Sequence, residues 1–348
     1  MKKDEVKVSI VIPVYQVESY VERCLESVFA QTYRHVEVIL VDDCGTDSSM
    51  KRVESFLESH DTLDARIVKH EHNRGLSAAR NTGLDAATGD YVLFLDSDDA
   101  LSHMAVEALV KPLEVFPYEM VIGDYVTVND QGMTETRNLK LPQGALMGGS
   151  EILNAYAQGL WYVMAWNKLC NRCFLLKEKL YFAEGFLHED VIWTFKLACK
   201  LQSMYVVKQS TYCYTVRNAS IMTSMSVEKD VTVYLKAFDE IIKFLHQENR
   251  VEGIWEYYII EGKKTGILYS LLQKGEYDLY NKVYPAFHSQ CYISPWKAFR
   301  KGMINGNYLL RDLHYSLPVS LGRIYKKMFY QLYYSVRGKR IEGAVWGD

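Results

Sequence analysis

The chain has 348 residues, of which 49% are hydrophobic, enough to close one large globular domain or two ordinary ones. Its net charge of −3 gives no footing for a nucleic-acid partner. No stretch approaches the roughly 18–20 consecutive apolar residues that a membrane span needs.

Residues 8–12, apolar but for Ser9, are closed by Pro13 and followed by Tyr15, the pattern of a buried strand. Between Glu18 and Gln31, the apolar positions Val21, Cys24, Leu25, Val28 and Phe29 recur at i, i+3, i+4, i+7 and i+8, which predicts a helix. Residues 36–41 form the next strand pattern, ending in Asp42 and Asp43. Thr46 and Asp47 offer N-cap chemistry for a helix reaching Ser59. A third strand is expected at 66–69, then a loop over 71–75 and a helix of small residues over 76–87. Residues 91–95 are five apolar residues bounded by Gly89 and Asp90, and they end abruptly in Asp96, Asp98 and Asp99.

This alternation of strand and helix predicts a parallel sheet with right-handed crossovers. Buried strands keep acids only at their open ends, where the carboxylates remain hydrated or bind something positive. In open α/β sheets ligands bind at that carboxyl edge. A divalent ion carrying a diphosphate suits such a cluster, because Mg²⁺ takes one or two carboxylates plus substrate phosphates. Taken alone, 96–99 reads equally well as an acidic turn capping the next helix, but a second strand leaving Asp42 and Asp43 at the same edge favours a site.

Seven cysteines without disulfide-like spacing fit free thiols in a reducing compartment. Cys170 and Cys173 form a lone C-x-x-C that reads as buried thiols ahead of zinc. The charged start at residues 1–5 argues against a signal peptide. After Ser226 the strand signals fade into helical stretches at 227–249, 254–274 and 278–290. Residues 300–348 then hold nine Lys/Arg against three Asp/Glu. Residues 321–340 mix those cations with aromatic and aliphatic side chains, a composition suited to a membrane interface and, as the bland alternative, to a terminal helix with a solvated basic face. The Tyr-rich helices also offer a homodimer surface.

Eight segments, in this order and spacing, cover about residues 7–224: Ser9-Ile-Val-Ile-Pro-Val-Tyr15, Gln31-Thr-Tyr33, Val41-Asp-Asp43, Asn73-Arg-Gly-Leu-Ser-Ala-Ala-Arg-Asn-Thr-Gly83, Gly89-Asp-Tyr-Val-Leu-Phe-Leu-Asp-Ser-Asp-Asp99, Ala165-Trp-Asn-Lys-Leu169, Leu187-His-Glu-Asp190 and Arg217-Asn-Ala-Ser-Ile-Met-Thr-Ser224. Through them the chain resembles the bacterial family-2 glycosyltransferases of GT-A fold. The resemblance implies a Rossmann-like, mostly parallel sheet sandwiched by helices over 1–224, with a nucleotide-sugar part at about 1–125 and an acceptor part at about 126–224. The rest, 225–348, is then a mainly helical extension. Two departures stand out: Cys44-Gly45 occupies the place of a common Gly-Ser, and Asn167 that of a frequent Gly.

The resemblance also implies roles. Pro13, Tyr15 and Glu18 would line the nucleotide pocket, with Asn73 in the same group. Asp43 would accept the N3–H of a uracil ring, and Arg80 would contact the base or the phosphates. Asp96, Ser97 and Asp98 form the D-x-D segment, Asp96 holding the ribose and Asp98 an Mn²⁺ or Mg²⁺ ion, with Asp96 and Asp99 as further ligands. Arg217 would reinforce the diphosphate, a task that suits a guanidinium. Asp190 is the expected base in a single displacement with inversion. On residues alone, Glu189 and Asp190 read first as acids complementing a helix dipole. His188 and Glu189 fall on the acceptor side, His188 as metal ligand, substrate contact or neighbour. Trp166 and Lys168 would face the acceptor, whereas Trp161 and Trp193 read as core.

The implied function is transfer of a sugar from a nucleoside diphosphate, with a UDP-sugar expected, to a glycan or lipid-linked hydroxyl in surface or capsular polysaccharide synthesis. The expected place is the cytoplasm, at the inner face of the cell membrane. A D-x-D phosphotransferase fits less well: Ala100 stands where Thr or Val is required, and Asp43 and 73–83 go unexplained. A nucleotidyltransferase would carry a Gly-rich loop, and 11–18 has no Gly. A non-catalytic sugar-nucleotide module would lack the base or the metal ligands, and both are present.

Overall fold

The computed structural model describes residues 5–337, apart from 61, 130–131, 133, 217–226, 249–261, 290–293 and 303. The chain divides into two compact units, one of Met1–Ala155 with Val163–Ser224, the other of Tyr156–Tyr162 with Met225–Asp348.

The first unit is built on β1 (Val8–Val14), α1 (Val21–Phe29), β2 (Val36–Asp42), α2 (Ser49–Ser59), β3 (Asp64–Lys69), α3 (Leu76–Ala86) and β4 (Tyr91–Phe94). β1, β2 and β4 are buried along their whole length, as strands covered on both faces must be. α1 buries the five apolar positions that its spacing singled out. α3 lies close to β1 because its contact face is made of Ala78, Ala79 and Gly83, and a Cβ at Gly83 would overlap the Val11 side chain. Pro13 does not end its strand. β1 runs on to Val14 and pairs Pro13 with Val41 of β2.

Beyond β4 the chain adds β5 (Ala100–Leu101), α4 (Ala105–Val110), β6 (Met120–Val128), β7 (Thr134–Arg137), β8 (Gly144–Met147), α5 (Gly149–Ala157), β9 (Lys168–Asn171), α6 (Arg172–Lys177), α7 (Glu189–Lys200) and β10 (Ser203–Thr215). All ten strands join one sheet of order β3-β2-β1-β4-β9-β6-β10-β5, with β7 on β6 and β8 on β10. The first four strands are parallel. β9 then runs antiparallel to both β4 and β6, while β10 is parallel to β6. The sheet is parallel in its first half, in keeping with the mostly parallel sheet expected, and mixed in its second half.

The second unit contains α8 (Val227–Gln247), α9 (Gly262–Gln273), α10 (Tyr277–Ser289), α11 (Pro295–Arg300), α12 (Gly306–Asp312) and α13 (Val319–Arg337). Its core gathers Val231, Leu268, Leu271, Leu272, Tyr280, Val283, Tyr284 and Phe287. No described helix is long and apolar enough to cross a membrane.

Candidate active site

The strand order places β1 between β2 and β4, so consecutive βα units leave in opposite directions at the carboxyl ends of β1 and β4. Ligands of open α/β sheets bind at such a switch point. The gap has a chemical cause. Leu95 N–H donates to the Val11 carbonyl at 3.0 Å, and the next ladder bond would have to come from the nitrogen of residue 13. Pro13 has no N–H, so the β1–β4 pairing stops there and the two strand ends part. Tyr15 follows on the exposed side of the opening.

Asp96 and Asp98 leave β4 into this opening and are both half-buried, with 24% of the Asp96 side chain accessible. Asp99 turns the other way. It is buried and accepts hydrogen bonds from the Tyr212 hydroxyl and the Thr215 amide, both at 2.7 Å. Burial and the charge of Asp96 push its carboxyl up to about 8, against the pull of those donors and of Arg23. Asp99 is thus a packed anchor between 96–99 and β10, which corrects its place as an alternative metal ligand. Arg23 secures the same turn by donating to the Asp98 carbonyl at 2.7 Å and to the Thr215 hydroxyl.

Arg80 departs from its expected role. It lies buried on α3, donating to Asp96 at 2.7 Å and to Glu189 at 2.6 Å, with its guanidinium over the Phe182 ring. Its fork is spent on two carboxylates, so it ties the β4 acids to the first turn of α7 instead of reaching a base or phosphate. Glu189 is correspondingly a buried ion-pair partner, not an acceptor contact. Asn81, one residue on, binds the backbone of Phe182 in both directions, at 2.9 and 2.8 Å, and docks the segment that leads to α7.

Asp190 sits half-buried in that first turn. Low-dielectric surroundings and the adjacent Glu189 raise its carboxyl to about 6, while Arg80 and His188 hold it lower than it would otherwise be. His188 precedes it at a φ of +58°, the left-handed region that a non-glycine residue enters only when its surroundings fix it.

Asp43 is also buried and accepts from His70 at 2.7 Å and from the Arg74 and Gly75 amides at 2.8 Å each. Three of the roughly four acceptor positions of a carboxylate are thereby used, leaving one on Oδ2. His70 in turn contacts the Thr82 hydroxyl at 2.9 Å, so Asp43 shapes the 70–75 loop. Asn73 is exposed on that loop and Ser97 is buried between the two acids. Glu18 accepts from the Ser48 amide at 3.0 Å, which makes it a clasp on the start of α2.

Trp166 and Lys168 are corrected as acceptor contacts. Trp166 is buried, its ring stacked on Tyr212 at 4.4 Å and on Tyr214 at 5.7 Å, so aromatic neighbours take the place reserved for a sugar. Lys168 is fully buried, donates to the Met164 carbonyl and is pushed down to about 7 by that burial. Trp193 is core, as expected. Arg217 lies outside the described residues. Both departures from the glycine pattern sit at left-handed backbone, Cys44 at φ +56° and Asn167 at φ +57°. Asn167 tolerates this conformation and uses its amide on the Gly123 and Asp124 carbonyls and the Thr211 hydroxyl.

Sequence reading did not find Arg23, His70 or Tyr212 as builders of this site. Asn81 lay inside a quoted motif without a role, which was the one available signal.

Comparison with known proteins agrees with this architecture. The family model described as glycosyl transferase family 2 matches residues 9–177. Glycosyltransferase GlyA of Streptococcus pneumoniae serotype 4 is 33% identical over 69% of this chain, which spans only 34% of that longer relative. The uncharacterized glycosyltransferase EpsJ of Bacillus subtilis is 30% identical over 69% of this chain and 67% of its own length. The crystal structure of S. aureus TarS 1-349 in complex with UDP-GlcNAc superposes with a TM-score of 0.70, at 20% identity, over 96% of this chain and 93% of that one. An open α/β sheet with paired acids at its switch point, matched by this family model and these relatives, makes the chain a member of glycosyl transferase family 2.

Proposed function

We propose that this glycosyltransferase is metal-dependent and inverting, and that it moves a sugar from a nucleoside diphosphate, a UDP-sugar, to a hydroxyl of a glycan or lipid-linked acceptor. The observation that carries the reading is the Arg80 bridge, which ties the β4 acids to the helix bearing Asp190. A UDP donor is supported by the TarS structure with UDP-GlcNAc and by the remaining acceptor position on Asp43 Oδ2, which suits an imide N–H.

Asp98 and the Asp96 oxygen not engaged by Arg80 are the groups that would hold Mn²⁺ or Mg²⁺. Among the described residues no three His, Cys, Asp or Glu gather into a metal-binding group. That fits an ion whose other positions are filled by a diphosphate and water. When bound, the ion would neutralise charge building on the departing diphosphate.

The chain's own residues supply the rest. Asp190 accepts the proton of the acceptor hydroxyl as its oxygen bonds to the anomeric carbon, and the bond from that carbon to the diphosphate breaks in the same displacement. A carboxyl at about 6 is ionised at neutral pH yet basic enough to take a proton. Arg80 holds Asp96 and Glu189 fixed while this happens, and Pro13 keeps the crevice open. We assign nucleotide-sugar binding to about 1–125 and acceptor binding to about 126–224, within surface or capsular polysaccharide synthesis at the inner face of the membrane.

The test is hydrolysis and transfer from UDP- and GDP-sugars with and without Mn²⁺ or Mg²⁺. One UDP-sugar should turn over only with metal, and Asp98→Ala should abolish this. Asp190→Asn should lower turnover by about 10²–10⁴-fold, with UDP affinity by calorimetry unchanged. Full turnover by Asp190→Asn would overturn the assignment of the base.

A further inference from the structure

The terminal helix α13 is turned inside out. Lys326 is fully buried, paired with Asp312 at 3.5 Å and lying over the Tyr269 ring. Gly322 lies on the same inner side, where a Cβ would run into the His314 carbonyl. Leu321, Ile324 and Met328 are instead 55% exposed, and Leu332, a turn further on, is 62% exposed. At 100° per residue these four fall within an arc of about 80°. Leu310 extends the patch, since the Tyr325 hydroxyl donates to its carbonyl at 2.7 Å and its own side chain is solvent-exposed. Water does not select an apolar outer stripe over a buried lysine; such a surface marks a docking face.

We infer that this stripe is a seat for an anionic lipid surface. One flank carries the rings of Tyr325 and Phe329, the other Ser320, Lys327 and Gln331, the aromatic and basic edging of a helix lying in a headgroup layer. Of the helix's four cations Lys326 is held by Asp312 and Lys327 edges the stripe; the helix has no acid, and residues 300–348 hold nine Lys/Arg against three Asp/Glu in a chain that is negative overall. A two-fold dimer on this stripe would set the net-positive C-terminal segment, with Lys327 at the stripe's edge, against its own copy, whereas anionic headgroups complement it. The inference deepens the lipid-linked-acceptor reading and rests on it for its purpose alone, since the stripe belongs to the second unit.

The experiment is co-sedimentation of the full chain with phosphatidylcholine vesicles, with and without phosphatidylglycerol, beside an Ile324→Glu/Met328→Glu variant. Both positions are exposed, so the variant keeps its fold, checked by circular dichroism. The wild type should pellet with the anionic vesicles and scarcely with the neutral ones. The variant should partition at least about tenfold more weakly. Failure of the wild type to pellet with anionic vesicles, or equal pelleting of the variant, overturns the inference. So does a wild-type dimer that the substitutions dissociate without any vesicle binding. UDP calorimetry on the same samples separates this outcome from failure of the proposed donor site.

Discussion

Arg80 neutralises two carboxylates that stand 16 and 109 residues away along the chain, and the pH response of Asp190 depends on it. Its guanidinium is among the charges that hold the Asp190 carboxyl down, so its removal lets that carboxyl rise further. The base works deprotonated, and wild-type kcat/KM should therefore fall as pH drops through about 6. In Arg80→Gln the acidic limb should move upward, by about one pH unit. Arg80→Lys, which keeps the charge and loses the fork, should move it less. An unmoved limb in Arg80→Gln would show that the bridge leaves Asp190 untouched. Arg80→Gln should also cost about 3–5 kcal/mol of stability, because it strands the buried Glu189 carboxylate and leaves the half-buried Asp96 unpaired. None of this was legible in the sequence. Family resemblance placed Arg80 on the base or the phosphates, since no local pattern reveals a partner as remote as Glu189. Asp96 and Asp98 drew notice because an apolar strand gives way abruptly to acids there, whereas Asp190 was singled out by the family resemblance, its residues alone reading as acids at a helix start.

At the scale of elements, the contact of α3 with β1 sets how near the 70–75 loop lies to the opening at Pro13. Gly83 permits it: its missing Cβ leaves room for the Val11 side chain. Gly83→Val should destabilise the chain by about 1–3 kcal/mol, as overpacked cores do. Adding Val11→Ala should recover part of that loss, a coupling expected of residues in contact. Urea unfolding of both single variants and the double variant measures it, and strictly additive losses would refute the close-approach account. The small residues of 76–87 announced this helix, and the buried parallel strands announced themselves as largely apolar runs, interrupted only by Ser9 in β1 and Glu37 in β2 before the acids at their ends. The antiparallel half stayed hidden for physical reasons. β5 has two residues, β7 is wholly polar and β9 is Lys-Leu-Cys-Asn, so none shows a period. Pro13 misled in a different way, because it removes a bond to β4 while the ladder to β2 continues.

At the scale of the whole molecule, each unit closes a core of its own. The first is built on β1, β2 and β4, buried throughout, and the second on Tyr280, Tyr284, Phe287 and the leucines of α9. The proposed donor residues belong entirely to the first. A ligand that binds one folded unit stabilises that unit by mass action, about 2.7 kcal/mol at a hundred times its dissociation constant. We therefore expect heating in a calorimeter to give two transitions, of which UDP with Mn²⁺ raises one and leaves the other in place. The Ile324→Glu/Met328→Glu variant should leave the ligand-sensitive transition where it is. A single transition that UDP raises as a whole would mean that the two cores unfold as one cooperative body. The boundary near 224, drawn where the family resemblance ends, would then mark a change of architecture without a change of folding unit. Two transitions with only one responsive to UDP would instead tie donor binding to the sheet unit and leave the exposed stripe of α13 to act on its own.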